Sequence, residues 1–348
     1  MLKRAGWTAA AMIGLGSCGT LWAQSAGALY GPRGVIADAV RQGVLGSCYF
    51  HASIASLAQA APETLREAIR PSALGSYKVH FAGGPDEMVL PADVQYGHAH
   101  SYDRSDGDWV LVLMRGYAQR AVRRGLAAAI EQSEAIPGYA KPVALDWLNH
   151  SGLLLVAYDR AIRSVVSQEG EMDRAGLKQA LTKQLRSLGV PAAEAGMLVG
   201  FMDEKGFFIR LSRTVEQDGE VFGAYKSLGQ GGIPVRVMES FMGTAHAGLV
   251  ADHEMTMQHL RRLKQGGMAM VAGSWNAGSA QSGEWFVAGH AYSVMGFDEE
   301  SQTVRMRNPW GRHPGPDGSF ALPLGSFWDA FESVSYSGGA ERSGGAER

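Results

Sequence analysis

The thiol of Cys48 is the side chain of this sequence best placed to carry covalent chemistry. Cys48 lies in QGVLGSCYFHASIASLAQA, after two glycines and before a long apolar run. Phe50, Ile54 and Leu57 recur at helical spacing, so Cys48 is predicted to sit in the first turn of a helix. The helix dipole there favours a thiolate, and the glycines keep the approach to the sulfur open. The pattern fits a nucleophile, and it also fits an inert buried cysteine.

A thiol nucleophile needs a base for its proton and a third group that orients the base. Among ten histidines, His290 has the most informative setting, because the strand-like runs EWFVAGHAYSVMGFD and TVRMRN flank an acidic turn. They predict an antiparallel hairpin, and a hairpin centred on position 299 places His290 opposite Asn308. The Asn308 side chain can then accept the imidazole N–H and fix the tautomer. A purely structural histidine is the alternative.

Two further residues complete the candidate site. The ring of Trp310 can shield the His290–Asn308 hydrogen bond from water, unless it is simply part of the core. Gln42 lies six residues before Cys48. Its amide N–H can join the Cys48 backbone N–H in stabilising an oxyanion, and a solvent-facing loop side chain is the alternative.

Metal-ligating residue types occur without the spacing of a metal site. HAH at 98–100 and ADHE at 251–254 lack a third spaced ligand. The acidic stretch SYDRSDGD at 101–108 fits a solvated turn, since the chain has no EF-hand loop. His51, one turn after Cys48, is predicted to lie on the helix surface. The sequence therefore requires no cofactor and assigns no metal ligand.

Charge and composition restrict the class of protein. The 32 basic and 34 acidic residues give a net charge of -2, which provides no field to attract nucleic acid or an anionic membrane. A hydrophobic content of 46% over 348 residues is ample for a buried core. We therefore expect a globular protein that does not bind nucleic acid.

The first 23 residues are predicted to be an export signal. MLKR is basic, the following run is apolar, and small residues come next. Cleavage after Ala23 is slightly favoured over a lipobox-like LGSC that would place a lipid anchor on Cys18. Either route leaves Cys48 without a disulfide partner. No other apolar run approaches about 20 residues, so the mature chain has no predicted membrane span. The expected location is periplasmic or secreted, or alternatively a membrane-anchored lipoprotein.

The elements that position the site follow from the hydrophobic pattern. Residues 24–34 are linker-like, and the helix of Cys48 is predicted to end near Pro62. MVLPADVQYGHAHSY predicts strand, and DWVLVLMRGYAQRAV predicts a buried helix.

The rest of the chain divides into three parts. Residues 119–222 have a helical pattern, including a helix with Asp173 as N-cap and Gly189 at its end. The last third is β-rich. The tandem SGGAER repeat predicts a disordered tail over 334–348.

Several of these stretches together resemble the catalytic core of the calpain family of papain-like cysteine proteases. They are QGVLGSCYFHASIASLA, DWVLVLMRGYA and GHAYSVMGFD…VRMRNPWG, with weaker similarity in YKSLGQGGIPVRVMESFMG and GSFALPLGSFWDAFE. The resemblance covers residues 35–118 and 223–333. It implies an α+β papain-like fold with a helical lobe and a β lobe, in which 35–333 is the catalytic domain and 119–222 a mainly helical insertion.

By position, the resemblance implies a role for each candidate. Cys48 is the nucleophile, His290 the general base and acid, Asn308 the residue that orients it, Gln42 the oxyanion donor and Trp310 the cover of the His-Asn pair. Many family members need calcium, for which this sequence identifies no ligands. Ser47 and Tyr49 depart from the acidic residue and the tryptophan that usually flank the cysteine.

The leading hypothesis is an exported, calpain-like cysteine endopeptidase that acts on proteins or peptides through a thioacyl-enzyme. Two alternatives stay open. One is a Cys-His amidase or acyltransferase acting on cell-wall peptides. The other is a catalytically silent binding module on a protease fold.

Overall fold

A computed structural model describes residues 29–72, 75–132, 138, 141–142, 145, 174–187, 191–204, 225, 228–229, 231–275, 286–312 and 315–337. The predicted leader, with the Ala23 cleavage site and the alternative lipid site at Cys18, lies outside these residues, so export stays a prediction. Within the described ranges, no helix has the length and apolar character needed to cross a membrane.

Helices and strands alternate in an α+β arrangement, which confirms the predicted class. The described helices are α1 Cys48–Ala60, α2 Pro62–Ala68, α3 Pro91–Ala99, α4 Trp109–Gln132, α5 Arg174–Ser187, α6 Ala192–Glu204, α7 Pro234–Met242, α8 His253–Gln265 and α9 Leu324–Ala330. The strands are β1 Ile69–Pro71, β2 Tyr77–Val79, β3 Glu87–Val89, β4 Ala245–Leu249, β5 Met270–Ser274, β6 Ala291–Asp298, β7 Thr303–Arg307, β8 Ser319–Pro323 and β9 Phe331–Ser337. They form a three-stranded sheet, β1-β2-β3, and a six-stranded sheet, β4-β9-β5-β6-β7-β8, with antiparallel pairing throughout.

The helix of Cys48 is the centre of the larger core. Ten of the 13 residues of α1 are buried, and Phe50, Ile54 and Leu57 have no exposed surface. Ser56 of α1 donates its hydroxyl to the carbonyl of Met270 and accepts the N–H of the same residue, both at 2.8 Å. These bonds attach α1 to β5. Truncating a buried aromatic such as Phe50 to alanine costs about 3–5 kcal/mol of stability, so this packing fixes α1 firmly.

The predicted hairpin around position 299 is present as β6 and β7, but its register differs from the prediction. Asp298 pairs with Thr303, so the turn lies further along the chain than position 299. An irregularity between Val294 and Gly296 then shifts the pairing by one residue. His290 and Asn308 flank the ladder instead of forming a pair within it. A bulge of this kind re-aims side chains at a sheet edge, which spacing alone does not predict.

The predicted strand over 88–102 is wrong beyond Val89. Pro91 opens α3, where its fixed φ suits the first helical position and its missing N–H costs nothing. The Asp93 carboxylate accepts the backbone N–H of Leu90 at 2.9 Å and so caps the helix start.

The predicted start of the insertion at 119 does not coincide with the end of an element. The predicted helix from Asp108 begins at Trp109 as α4 and continues without a break to Gln132. Arg123 in this continuation pairs with Glu87 of β3, through two bonds of 2.6 and 2.7 Å, and both side chains are buried. The first turn of the predicted insertion therefore belongs to the core. Further along, α5 agrees with the helix predicted between Asp173 and Gly189, which themselves lie outside the described residues.

Both predicted unstructured ends are shorter than expected. Leu29, inside the predicted linker, is 2% exposed and packs into the core. At the other end, β9 continues to Ser337, whose hydroxyl accepts the N–H of Ala269 at 2.9 Å. Pairing with β4 and β5 holds residues 334–337 in the sheet, so the predicted tail begins too early. Residues 338–348 lie outside the described ranges.

Candidate active site

Cys48 is the first residue of α1, which is where the sequence predicted it. The loop before it is compact because two glycines allow close backbone contacts. A Cβ at Gly43 would overlap the carbonyl oxygen of Ser101, and a Cβ at Gly46 would overlap that of Gly229. The glycines were expected to open the approach to the sulfur. In the structure they also hold the loop against its neighbours, and this fixes the entry of the chain into the helix.

The thiol lies in a partly buried environment that opposes ionisation. Burial raises the pKa of Cys48 above its ordinary value. The backbone N–H groups of Ala291, Tyr49 and Cys48 act on the sulfur in the opposite direction. Two of these groups come from the start of α1, and the third follows His290 directly in the sequence. The cysteine therefore favours the neutral thiol until a base takes its proton.

His290 and Asn308 are joined by a hydrogen bond. His290 Nε2 lies 3.1 Å from Asn308 Oδ1, and since this amide oxygen can only accept, the imidazole donates Nε2–H. Nδ1 is then the atom free to act as a base. The two residues are 6% and 1% exposed. Burial lowers the pKa of His290 to about 4, and the bond to Asn308 acts in the opposite direction. The imidazole is therefore neutral at neutral pH.

Trp310 takes part through both its backbone and its ring. Its N–H donates to Asn308 Oδ1 at 3.0 Å, so this oxygen receives a second bond that holds the amide in place. Its ring lies 4.9 Å from the His290 ring, tilted by 52°. The ring thus lies against the imidazole, as a cover of the His-Asn pair requires.

Ser274 of β5 is a positioning residue that sequence reasoning missed. Its hydroxyl accepts the His290 N–H at 2.9 Å and donates to Val287 O at 2.7 Å. Its own N–H donates to the His290 carbonyl at 2.9 Å. The backbone of His290 is therefore held on both sides. Nothing in the local sequence VAGSW distinguishes this serine from other small residues of a strand.

Gln42 is buried beside Cys48 and is attached to the segment of Asn308. Its backbone N–H donates to Pro309 O at 2.8 Å. One amide hydrogen of its side chain is given to Leu45 O, within the loop that leads to Cys48. Among the described residues, this amide nitrogen has no second acceptor. The predicted alternative, a solvent-facing loop side chain, is wrong, since Gln42 is 8% exposed.

Four of the five candidate residues line one cleft. Its volume is about 910 Å³, and Cys48, His290, Gln42 and Trp310 all line it. Several glycines, among them Gly231, also line it.

His51 is not on the helix surface as predicted. It is fully buried, and its Nε2 lies 3.1 Å from Asp103 Oδ1, which is also buried. Its Nδ1 lies 3.0 Å from the carbonyl oxygen of Ser47 and 3.1 Å from the Ser47 hydroxyl. Asp103 bridges to Gln42 in the backbone. The pair therefore links the residue before the nucleophile to the Gln42 segment. His51 and Asp103 are 52 positions apart in the sequence, so helical spacing could not reveal their contact.

The stretches with metal-ligating residue types are occupied in other ways. Asp103 belongs to the pair with His51, which corrects the interpretation of 101–108 as a solvated turn. His98 pairs with Asp108 at 2.7 Å, and Asp252 caps α8 by accepting the Met255 N–H at 3.0 Å. Across the described ranges, no group of three or more His, Cys, Asp or Glu side chains is placed to hold a metal ion.

Comparison with known families confirms the resemblance seen in the sequence. Residues 216–321 match the model of the calpain family cysteine proteases. The matched segment contains His290, Asn308 and Trp310, whereas Cys48 and Gln42 lie outside it. The match supports cysteine protease activity in general. It begins inside the predicted insertion, a few residues before its expected end at 222.

Other comparisons add little. No curated protein matches the chain. Among solved structures, a crystal structure of PepW from Lactobacillus rhamnosis HN001 (DR20) aligns with 86% of this chain and 79% of its own, at 9% sequence identity and a TM-score of 0.29. A TM-score this low supports no conclusion about the fold.

Proposed function

We propose that this chain is an exported, calpain-like cysteine endopeptidase with a papain-like two-lobe fold, in which Cys48, His290 and Asn308 form the catalytic triad. The observation that carries the proposal is the bond from His290 Nε2–H to Asn308 Oδ1 at the cleft that Cys48 lines. It leaves Nδ1 of a neutral imidazole free to act as the base, at a cleft that the thiol also lines. A histidine oriented in this way by a neutral amide is the arrangement a thiol nucleophile needs.

The first half of the reaction forms a thioacyl-enzyme. His290 Nδ1 takes the proton of Cys48, and the thiolate attacks the carbonyl carbon of the scissile peptide bond. The imidazolium then gives this proton to the departing amine as the C–N bond breaks. In the second half, His290 removes a proton from water as the water oxygen attacks the thioester carbon. The C–S bond then breaks, the carboxylic acid product leaves, and the imidazolium returns the proton to the Cys48 thiolate.

Two donors are available for the developing oxyanion. One is the backbone N–H of Cys48 at the start of α1, where the first amides of a helix have no intrahelical acceptor. The other is the second amide hydrogen of Gln42, whose first hydrogen is held by Leu45 O. Losing one such donor typically costs 10²–10³-fold in kcat. No step uses a metal ion, and the role of Trp310 is to keep water away from the His-Asn bond.

Cleavage of an unfolded protein tests the proposal. The chain from Gln24 onward is compared with its Cys48→Ala and Cys48→Ser variants, with calcium and with chelator. We expect cleavage by the thiol form alone. Equal rates of cleavage by all three forms would exclude Cys48 as the nucleophile. A thiol that reacts with an active-site-directed electrophile while no protein or peptide is cleaved would favour the acyltransferase alternative. A calcium requirement would appear as activity abolished by chelator.

A further inference from the structure

The charge of the cleft differs from that of the whole chain. Three of its lining residues are arginines, Arg41, Arg104 and Arg312, and no described lining residue is acidic. The protein as a whole has a net charge of -2. Among the described residues, the formal charges that line the candidate active site are therefore all positive.

The three guanidinium groups have no partners among the described residues. None of them forms an ion pair or a side-chain hydrogen bond there. Nε of Arg41 is buried without an acceptor. An arginine whose buried donors lack an acceptor carries a desolvation cost, which an incoming anion would offset. Arg104 and Arg312 are exposed, so their charges are accessible from the cleft.

No described carboxylate forms an ion pair with these arginines, and the nearest ones in the sequence bond to other groups. Asp103, next to Arg104, bonds to His51 at 3.1 Å. Asp106 pairs with Arg33 at 3.2 Å.

The same holds on the other side of the cleft. Asp317, next to the lining residue Pro316, accepts the N–H of Ser319 at 2.9 Å.

Two of the arginines lie beside the catalytic groups. Arg312 follows Trp310 by two residues, and Trp310 lies against His290. The side-chain stem of Arg41 lies against Gly311, and Arg41 precedes Gln42. A cleft with charges of one sign focuses its field on the bound chain, so an anionic group near the scissile bond is favoured there.

We propose that the cleft selects acidic peptide segments, with Asp or Glu side chains within a few residues of the scissile bond. This inference rests on the proposed function and names its substrate class. Guanidinium groups bind carboxylates through paired N–H bonds, which makes Arg well suited to this recognition. Because Arg104 and Arg312 are exposed, each contributes the modest factor of a partly solvated ion pair.

Matched peptides that differ only by Glu or Gln at the positions flanking one cleavage site provide the test. We expect kcat/KM to be about tenfold higher for the Glu peptides at low salt, and the ratio to shrink at about 0.5 M salt. Arg312→Glu and Arg104→Glu should each lower the Glu-to-Gln ratio roughly three- to fivefold. Arg70→Glu, an exposed arginine on β1 that does not line the cleft, is the matched control and should leave the ratio unchanged.

The outcomes separate this inference from the proposed function. Cleavage of both peptides with equal kcat/KM, or a ratio that Arg312→Glu and Arg104→Glu leave intact, overturns the inference and keeps the protease. If no peptide is cleaved, the protease proposal fails, and binding of fluorescent peptides to the Cys48→Ala protein then decides the inference. Tighter binding of the Glu peptide, weakened by Arg312→Glu but not by Arg70→Glu, supports the basic cleft. Equal binding of both peptides overturns it.

Discussion

The hydroxyl of Ser293 on β6 donates to the carbonyl of Ala52 on α1 at 2.8 Å. Ser293 lies three residues after His290, and Ala52 lies four residues after Cys48. The bond is buried and joins the two elements that carry the base and the nucleophile. The distance between thiol and imidazole therefore depends on a contact that neither group makes itself.

Replacing Ser293 with alanine should misplace the base without unfolding the protein. Loss of one buried hydrogen bond costs about 1 kcal/mol of unfolding free energy. We expect kcat to fall roughly tenfold, since small errors in the position of a base are costly. Urea unfolding and steady-state kinetics measure the two effects. Ser53→Ala is the control, because Ser53 donates mainly to Tyr49 O within α1. An equal loss of kcat in the control would argue against the positioning role.

The pH dependence of Cys48 alkylation should report the buried imidazole. Because burial lowers the pKa of His290 to about 4, the imidazole is neutral and can accept the thiol proton above that pH. The rate with an uncharged alkylating reagent should therefore fall on acidification near pH 4, well below the 6.5 of an ordinary histidine. In His290→Ala, the alkylation rate should rise only at a pH above 9.0, the ordinary pKa of a thiol, because burial raises the pKa of Cys48. Identical profiles for the two proteins would contradict the base assignment.

Asn308→Ala should reduce activity without abolishing it. Nε2–H of His290 loses its acceptor, and the Trp310 N–H loses the same oxygen. The ring can then rotate, and we expect kcat to fall by about 10²-fold, within the range of a general-base contribution. The acid limb of the alkylation profile should move to lower pH, because the bond to Asn308 raises the pKa of His290. An unmoved limb would show that Asn308 does not act through the imidazole.

Glu87→Gln tests whether the core extends past residue 119. The substitution removes the charge that Arg123 of α4 pairs with, and breaking a buried pair costs about 3–5 kcal/mol. We expect a large loss of unfolding free energy, measured in urea. Arg261→Gln, which breaks the exposed pair with Glu299, should cost under about 1 kcal/mol. A small effect of Glu87→Gln would mean that the end of α4 belongs to the insertion as predicted.

The sequence predicted the elements better than their connections. Helical spacing located the start of α1 at Cys48, and alternating apolar residues located β6 and β7. The pairing of His290 with Asn308 was anticipated from a hairpin whose register was wrong. The contact between the two side chains is still made because both residues lie just beyond the paired strands. There, a shift of the turn changes their separation less than it would within the strands.

Contacts between distant segments could not be predicted. Ser274 and His290 meet across neighbouring strands, and the arginines of the cleft come from separate loops. Periodicity describes which face of an element is buried, but it does not identify the partner on the other side. The buried pair of His51 and Asp103 illustrates the limit, since a histidine on a helix otherwise fits a surface position equally well.

The buried pair of His51 and Asp103 should couple the stability of α1 to that of a distant loop. Asp103→Ala leaves His51 Nε2 buried without an acceptor and should lower the unfolding free energy by about 2–3 kcal/mol. Replacing both partners, with His51→Leu added, should cost less than the sum of the single changes, because the imidazole is then no longer buried without an acceptor. Since His51 also contacts Ser47, the single variant should lower the alkylation rate of Cys48. The exposed pair of His98 and Asp108 is the control, and its cycle should show a coupling under about 0.5 kcal/mol. Additive effects at His51 and Asp103 would contradict the link.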